Sequence, residues 1–162
     1  MKIQTYKQPR IWTPTQQLEP RKIVDKETAH KEDLLHKSSH LLIVEDNYVF
    51  CRRRGDEEER YGGLLTTTFG THVGLEETYL DTIRKHIQSA KKEKLFFVGE
   101  FRVHDEYENE VCGLYFIRRK EILPDIGGYQ ERKSFSELEK EISRQKTTPH
   151  LKEAHSLIKL IL

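Results

Sequence analysis

Apolar positions along the chain follow two different spacings, and together they predict mixed α/β structure. Residues 77–92 carry apolar side chains at i, i+3, i+7 and i+10, which form one face of a helix. The members of this face are Leu80, Ile83, Ile87 and Ala90. Four runs rich in β-branched and aromatic residues predict strands: 41–44, 48–51, 95–103 and 111–118.

Capping signals predict two more helices near the C terminus. Ser134 and Glu137 have the spacing of a capping box, ahead of a helix over residues 135–142. Pro149 fits the first turn of a final helix over residues 148–158.

The N-terminal part of the chain shows less regular spacing. Residues 1–20 contain three prolines and no clear period, which predicts an extended N-terminal arm. Trp12 is expected to pack against the body of the protein and so anchor that arm. A short helix is predicted over residues 26–36. The remaining chain, residues 21–162, is expected to form a single domain around one core.

Composition and charge narrow the functional classes. The 28 basic and 27 acidic residues give a net charge of +1, which argues against nucleic-acid binding. No apolar run reaches membrane-spanning length, and no signal-peptide core is present, so we expect a cytoplasmic protein without membrane contact. Cys51 and Cys112 lie in strand-like apolar runs, which predicts buried reduced thiols.

Residues 69–91, FGTHVGLEETYLDTIRKHIQSAK, resemble a Nudix box whose metal-binding glutamates are missing. The family pattern is G-x5-E-x7-R-E-U-x-E-E-x-G-U, where U is aliphatic. With Gly70 as the first glycine, Glu76 and Arg84 fall on family positions. The helix glutamates are then replaced by Lys85, Gln88 and Ser89.

A second register aligns His72 and Val73 with the form G-G-H-V-x-x-G-E-T of the same box. It places Ile87 on the aliphatic position and therefore keeps an apolar residue where the helix faces the core. The glutamates are then replaced by His86, Ser89 and Ala90. Both registers lack all three glutamates.

Other segments resemble the same superfamily. Residues 36–54 and 94–119 are similar to its two hairpins, and its closing helices resemble residues 135–142 and 148–158. The resemblance implies a Nudix-like α/β/α sandwich with a mixed sheet. Residues 29–36, AHKEDLLH, resemble the isopentenyl-diphosphate isomerase branch, in which His30, His36 and His72 would fall on positions of a metal site. Packing or surface roles are the alternative reading of these histidines.

The missing carboxylates change the expected function, because Mg²⁺ requires hard oxygen ligands. We expect a catalytically degenerate Nudix-fold protein, without a resident cofactor or metal, that binds a nucleotide-like or phosphorylated ligand or a protein partner. Basic residues bind phosphate through charge-assisted hydrogen bonds. The candidate ligand contacts are Arg52, Arg53, Gly70, Arg84, Lys85 and His86. By strand alternation, Arg53 should point away from the face shared by Arg52 and Arg54.

The alternative is an atypical metal-dependent hydrolase of nucleoside diphosphate derivatives. It would bind Mg²⁺ through Glu76 and Glu77, with Glu100 as a further catalytic candidate. No catalytic residue is assigned outside this alternative. The acids at 106, 108 and 110 could supply a general base, although a solvated charge cluster is the simpler reading.

Overall fold

The computed structural model describes residues 1–162, and nine strands form its mixed sheet. The strands are β1 (Lys2–Tyr6), β2 (Pro20–Asp25), β3 (Leu35–Glu45), β4 (Tyr48–Arg53), β5 (Leu65–Thr66), β6 (Phe69–His72), β7 (Phe96–His104), β8 (Asn109–Arg118) and β9 (Tyr129–Ser134). The α-helices are α1 (Lys26–Lys31), α2 (Tyr79–His86), α3 (Phe135–Ser143) and α4 (Pro149–Ile158). The predicted mixed α/β class is confirmed. No helix has both the length and the apolar composition needed to span a bilayer.

The central strand β3 sets the layout of the sheet. It runs parallel to β8 and antiparallel to β1, β4 and β6. Its pairing with β4 is short and ends at Val44 opposite Val49. Beyond this point β3 pairs with β6, whereas β4 pairs with β5 and β9. The two halves of the sheet therefore separate, and a pocket opens between them.

Alternating side chains of β3 enter two different cores. Leu41 and Ile43 pack with the apolar face of α2, where Ile83 and Ile87 are fully buried. Leu42 and Val44 belong to a second core, which is closed by α3 and α4. Both cysteines are buried and free in this second core, as predicted.

The local signals at the C terminus predicted the helices well, because capping is a short-range interaction. Ser134 and Glu137 form the predicted capping box, and Pro149 occupies the first turn of α4. The helix predicted over residues 77–92 is shorter: α2 ends at His86, and a 3₁₀ turn follows over Gln88–Lys92. This change keeps Ala90 buried with the apolar face of α2.

The N-terminal segment differs from the predicted arm. Lys2–Tyr6 forms a strand that pairs with both β2 and β3, because backbone hydrogen bonds here are made with distant parts of the chain. Trp12 is partly buried and packs against a small cluster of Leu18, Leu35 and Val111, in agreement with its predicted anchoring role.

Candidate functional site

A polar pocket of about 260 Å³ lies where β3 and β4 separate, beside the N-terminal end of α4. Histidines, acids, basic residues and hydroxyl groups line it, and no aliphatic side chain does. No residue of α2 contributes to the lining.

Three histidines and a carboxylate meet beside this pocket, and two of them, His72 and Glu108, also line it. His30 comes from α1, His36 from β3, His72 from the end of β6, and Glu108 from the turn before β8. Their potential ligand atoms all lie within 4.8 Å of one another, and the ring centroids are 5.1 to 5.2 Å apart. We call these four residues the His₃Glu cluster.

The tautomers of two of these histidines are set by backbone carbonyls. The Nδ1 atoms of His30 and His36 lie 2.8 Å from the carbonyl oxygens of Lys26 and Leu34, and each therefore donates its proton there. The Nε2 lone pairs consequently face the cluster. Histidines that bind metals usually have this kind of second hydrogen bond. In addition, the buried Nε2 atoms of His36 and His72 have no hydrogen-bond partner.

The short distance between His30 and Glu108 also requires a shared proton or a bound cation. His30 Nε2 lies 2.9 Å from Glu108 Oε2. In the tautomer described above, a neutral His30 would bring two acceptors together at this distance. Either a proton or a metal ion must therefore lie between them.

Glu110 lies under the cluster and is almost completely buried. Its Oε2 atom is 3.3 Å from Nε2 of His36 and 3.7 Å from Nε2 of His72, and His150 donates to its Oε1 atom at 2.7 Å. Burial raises the pKa of Glu110, but His150 and His36 outweigh this effect and hold the pKa well below its ordinary value. Glu110 is therefore an anion, and together with Glu108 it places two carboxylates against the three histidines of the cluster.

The pKa values of the two histidines beside Glu110 move in opposite directions. Burial lowers the pKa of His36, but the Glu110 carboxylate outweighs burial and raises it overall. Burial lowers the pKa of His72 to about 3, so its ring is neutral near pH 7. A neutral imidazole is the form that binds a metal ion.

Basic side chains line the pocket beyond the cluster. Arg54 pairs with Glu58, and Arg60 donates to Glu108 at 3.0 Å. Arg52, in contrast, makes no side-chain hydrogen bond or ion pair within the chain. Burial and the nearby charge of Arg54 lower the pKa of Arg52. A bound anion would stabilise the charged form of Arg52 and so offset both the burial and the repulsion from Arg54.

A second group of potential ligands, His40, Cys112 and His150, lies next to the first. Its hydrogen-bonding groups are already paired, which distinguishes it from the His₃Glu cluster. His40 contacts Ser38 Oγ at 3.1 Å and Thr67 Oγ1 at 2.8 Å, and Ser38 donates to the Cys112 sulfur at 3.1 Å. Burial raises the pKa of Cys112, so the thiol stays protonated. This group is a satisfied hydrogen-bond network.

Some predicted ligand contacts lie in the pocket and others lie outside it. Arg52 and Gly70 line it, and a side chain at position 70 would place its Cβ atom 2.6 Å from the His40 ring. Arg53 points away, as alternation predicts, and forms a bidentate pair with Glu131.

The predicted contacts on α2 are remote from the pocket. Lys85 pairs with Glu77 at 3.0 Å, His86 Nδ1 bonds the Thr82 carbonyl at 3.0 Å, and Arg84 has a buried Nε atom without a partner. The structure therefore does not join these basic residues to the polar pocket.

The substitute carboxylates are also dispersed. Glu76 and Glu77 border a separate pocket near β1 and do not approach the histidines. Glu100 accepts from the Tyr79 hydroxyl and from the backbone N–H of Thr15. No common metal site is formed by these three acids.

Two acids interpreted as solvated charges are in fact buried. Glu108 and Glu110 have only 9% and 3% of their surface exposed, because the parallel register of β8 places Glu110 opposite His36. The alternate spacing of Glu110 with Cys112 was a usable signal that these two residues share one face of a strand. The contributions of Lys26 and Arg60 to the pocket carried no comparable local signal.

Comparisons with known proteins give the fold but no closer relation. No family model matches the chain, and no curated protein does. The crystal structure of DR0079 from Deinococcus radiodurans superposes with a TM-score of 0.69 at 12% identity and covers 100% of both chains. A MutT Nudix hydrolase from Burkholderia pseudomallei gives a TM-score of 0.56 at 15% identity, with 76% of this chain and 98% of that chain covered.

A MutT protein from Methanosarcina mazei Go1 gives a TM-score of 0.58 at 11% identity, covering 75% of this chain and 91% of that chain. Likeness at such low identity defines the path of the backbone and leaves the chemistry of the site open. The chain has the Nudix fold.

Proposed function

We propose that the protein binds a phosphorylated small molecule in the polar pocket, through a divalent metal ion at the His₃Glu cluster and through Arg52. The observation that carries the proposal is the unmet bonding capacity at the cluster and at Arg52. The buried Nε2 atoms of His36 and His72 have no hydrogen-bond partner, and the partly buried Arg52 guanidinium has no anionic partner within the chain.

The residues of the cluster fit a transition-metal ion better than Mg²⁺. Imidazole nitrogens together with a carboxylate suit ions such as Zn²⁺ or Mn²⁺, whereas Mg²⁺ prefers oxygen ligands. His30, His36, His72 and Glu108 would hold the ion, and Glu110 lies close enough to join them. When bound, such an ion supplies positive charge that attracts phosphate oxygens.

The arginines support phosphate as the ligand group. A guanidinium can donate two parallel hydrogen bonds to a phosphate. Arg52 and Arg54 line the same pocket as His72 and Glu108, so a phosphate bound there would have guanidinium groups and the metal site within one cavity. The proposal keeps the expectation of a cytoplasmic protein that lacks ordinary Nudix catalysis on α2.

A binding experiment with a matched pair of variants tests the proposal. Metal-free protein is loaded with Zn²⁺ or Mn²⁺, its metal content is measured, and inorganic pyrophosphate is titrated calorimetrically. Arg52→Ala should weaken pyrophosphate binding by about 10- to 100-fold, since a hydrogen bond to a charged group contributes roughly 1.5–3 kcal/mol. Arg53→Ala removes the adjacent arginine, which pairs with Glu131, and should leave binding unchanged. Equal affinity in both variants, or no metal uptake, contradicts the proposal.

Hydrolysis of the bound ligand is the second candidate function. It is favoured by the buried pair of Glu110 and His150, which borders the same pocket and offers a carboxylate that would orient a water molecule beside the ligand. Release of inorganic phosphate from phosphate esters by metal-loaded protein, and its loss in Glu110→Gln, would establish this activity. Binding without release would leave the protein a binding module.

A further inference from the structure

Resting on the proposed function, we infer that the pocket selects ligands made only of phosphate and hydroxylated carbon, and that neither a nucleobase nor a hydrocarbon chain adds affinity. The inference concerns the class of ligand rather than the presence of a phosphate site. It follows from the walls, the floor and the size of the cavity.

The walls of the pocket are mainly polar and contain no aliphatic side chain against which a hydrocarbon group could pack. Each CH₂ group removed from water contributes about 0.8 kcal/mol, but only where it meets apolar side chains. The lining here carries hydroxyls, imidazoles, guanidinium groups and carboxylates, including Ser38, Thr66 and Thr148. A prenyl chain placed against these groups would bury polar atoms without satisfying them.

The single tyrosine of the lining is already engaged and cannot serve as a free stacking surface. The Tyr61 hydroxyl donates to Asp105 at 2.6 Å, and its ring packs edge-on with Tyr107 and His150 at 5.1 and 5.8 Å between centroids. The guanidinium of Arg54 lies 6.0 Å from the centre of the same ring.

The other aromatic residues of the sheet lie away from the pocket. Phe96 stacks on Phe116, and Phe97 contacts Tyr115, all on β7 and β8. None of them lines the pocket. A nucleobase attached to a bound phosphate would therefore find no phenylalanine, no tryptophan and no free tyrosine ring among the lining residues.

The floor of the pocket limits the length of a ligand. Gly70 permits the His40 ring to lie directly against β6, and this ring stacks on His150 with 5.1 Å between centroids. The cavity of about 260 Å³ is smaller than the range of roughly 300–1,000 Å³ that is typical of pockets for drug-sized ligands. Hydroxyl groups on a short carbon chain can pair with the threonines, which both donate and accept.

Pairs of ligands with the same phosphate group test the inference on metal-loaded wild-type protein. AMP is compared with glycerol 3-phosphate, and dimethylallyl diphosphate with methyl diphosphate. In each pair we expect the larger ligand to bind no more than about threefold tighter, a difference below about 0.7 kcal/mol. Metal content is measured after each titration, so that removal of the ion by the ligand is recognised.

The outcomes separate the two proposals. A gain above about threefold for AMP or dimethylallyl diphosphate overturns the inference while leaving the phosphate site in place. If no phosphate binds, or if Arg52→Ala and Arg53→Ala bind all probes equally well, the proposed function fails and the inference fails with it. A preference for glycerol 3-phosphate over methyl diphosphate would identify a hydroxylated monoester as the ligand, and the reverse preference a diphosphate.

Discussion

The two faces of β3 differ in chemistry although they share one backbone. One face presents Leu41 and Ile43 to α2, and both side chains are fully buried there. The other face presents Ser38 and His40 to a polar pocket and His36 to the adjacent His₃Glu cluster. The absence of the glutamates from α2 therefore argues against metal binding only on the face of β3 that packs against α2. Metal-binding capacity on the opposite face has to be judged from its own residues.

The largest expected effect is the loss of metal binding on the polar face. His72→Ala removes a neutral imidazole from the His₃Glu cluster and should lower Zn²⁺ affinity by more than about 100-fold, since losing a residue that only hydrogen-bonds a metal ligand already costs about 10- to 100-fold. Cys112→Ser is the control, because Cys112 belongs to the satisfied network. Competition with a chromophoric chelator measures both. Equal losses in the two variants would mean that the ion binds elsewhere.

The apolar face should respond in the opposite way. Leu41 is fully buried against α2, and Leu41→Ala should lower the free energy of unfolding by about 2–5 kcal/mol through lost contacts and a residual cavity. The remaining folded protein should keep its Zn²⁺ affinity. Urea denaturation and chelator competition on the same sample provide the two readouts. A parallel fall in metal affinity would show that the two faces are coupled.

The histidine at the start of α4 should position Glu110. His150→Ala removes the 2.7 Å hydrogen bond to this buried carboxylate and should lower metal affinity by about 10- to 100-fold. His155→Ala on the same helix is a matched control, because His155 is buried but faces Glu139 at 3.7 Å. Unchanged metal affinity in His150→Ala would show that Glu110 is held without its help.

Acid should destabilise the polar face through His40. Burial, together with the charge of His150, lowers the pKa of His40 from 6.5 to about 3. Between these values the unfolded chain binds a proton that the folded chain does not, so stability falls as the pH drops. The contribution of His40 is complete above pH 6.5 and should decline by about 1 kcal/mol between pH 6.5 and 5.5.

Urea denaturation of metal-free wild type and His40→Gln checks this assignment. Other groups, including His72 and Glu110, also favour loss of stability in acid, so the difference between the two curves is the relevant quantity. The variant should show a shallower decline between pH 6.5 and 5.5. Identical slopes would mean that His40 titrates normally in the folded protein.

The smallest effect is expected on the solvent side of α2. Lys85 is exposed and pairs with Glu77, and surface pairs of this kind contribute roughly 0–1 kcal/mol. Lys85→Ala should therefore change neither stability nor pyrophosphate affinity appreciably. If calorimetry shows that this variant no longer binds pyrophosphate, the anion site lies on α2 and not in the polar pocket.

Features that depend on neighbouring residues could be predicted from the sequence. The capping box of Ser134, the proline of α4 and the opposite orientations of Arg52 and Arg53 all follow from local geometry.

The resemblance to the isomerase branch indicated that His30, His36 and His72 share a site, and the structure brings their potential ligand atoms together, but the acids beside them could not be predicted from local geometry. His36 and Glu110 are distant in sequence, and they meet only because β3 and β8 pair in parallel. Burial of Glu110 depends on that register. The acidic segment around it therefore had the appearance of a solvated charge cluster in the sequence.

The cluster residues come from α1, β3, β6 and the turn before β8, and this order along the chain has a consequence for its synthesis. A nascent polypeptide that has emerged only as far as β6 contains the three histidines but neither Glu108 nor the strand that orders them. High-affinity metal capture should therefore begin only after β8 has left the ribosome and joined β3. Acquisition of the ion would then mark the completion of folding rather than nucleate it.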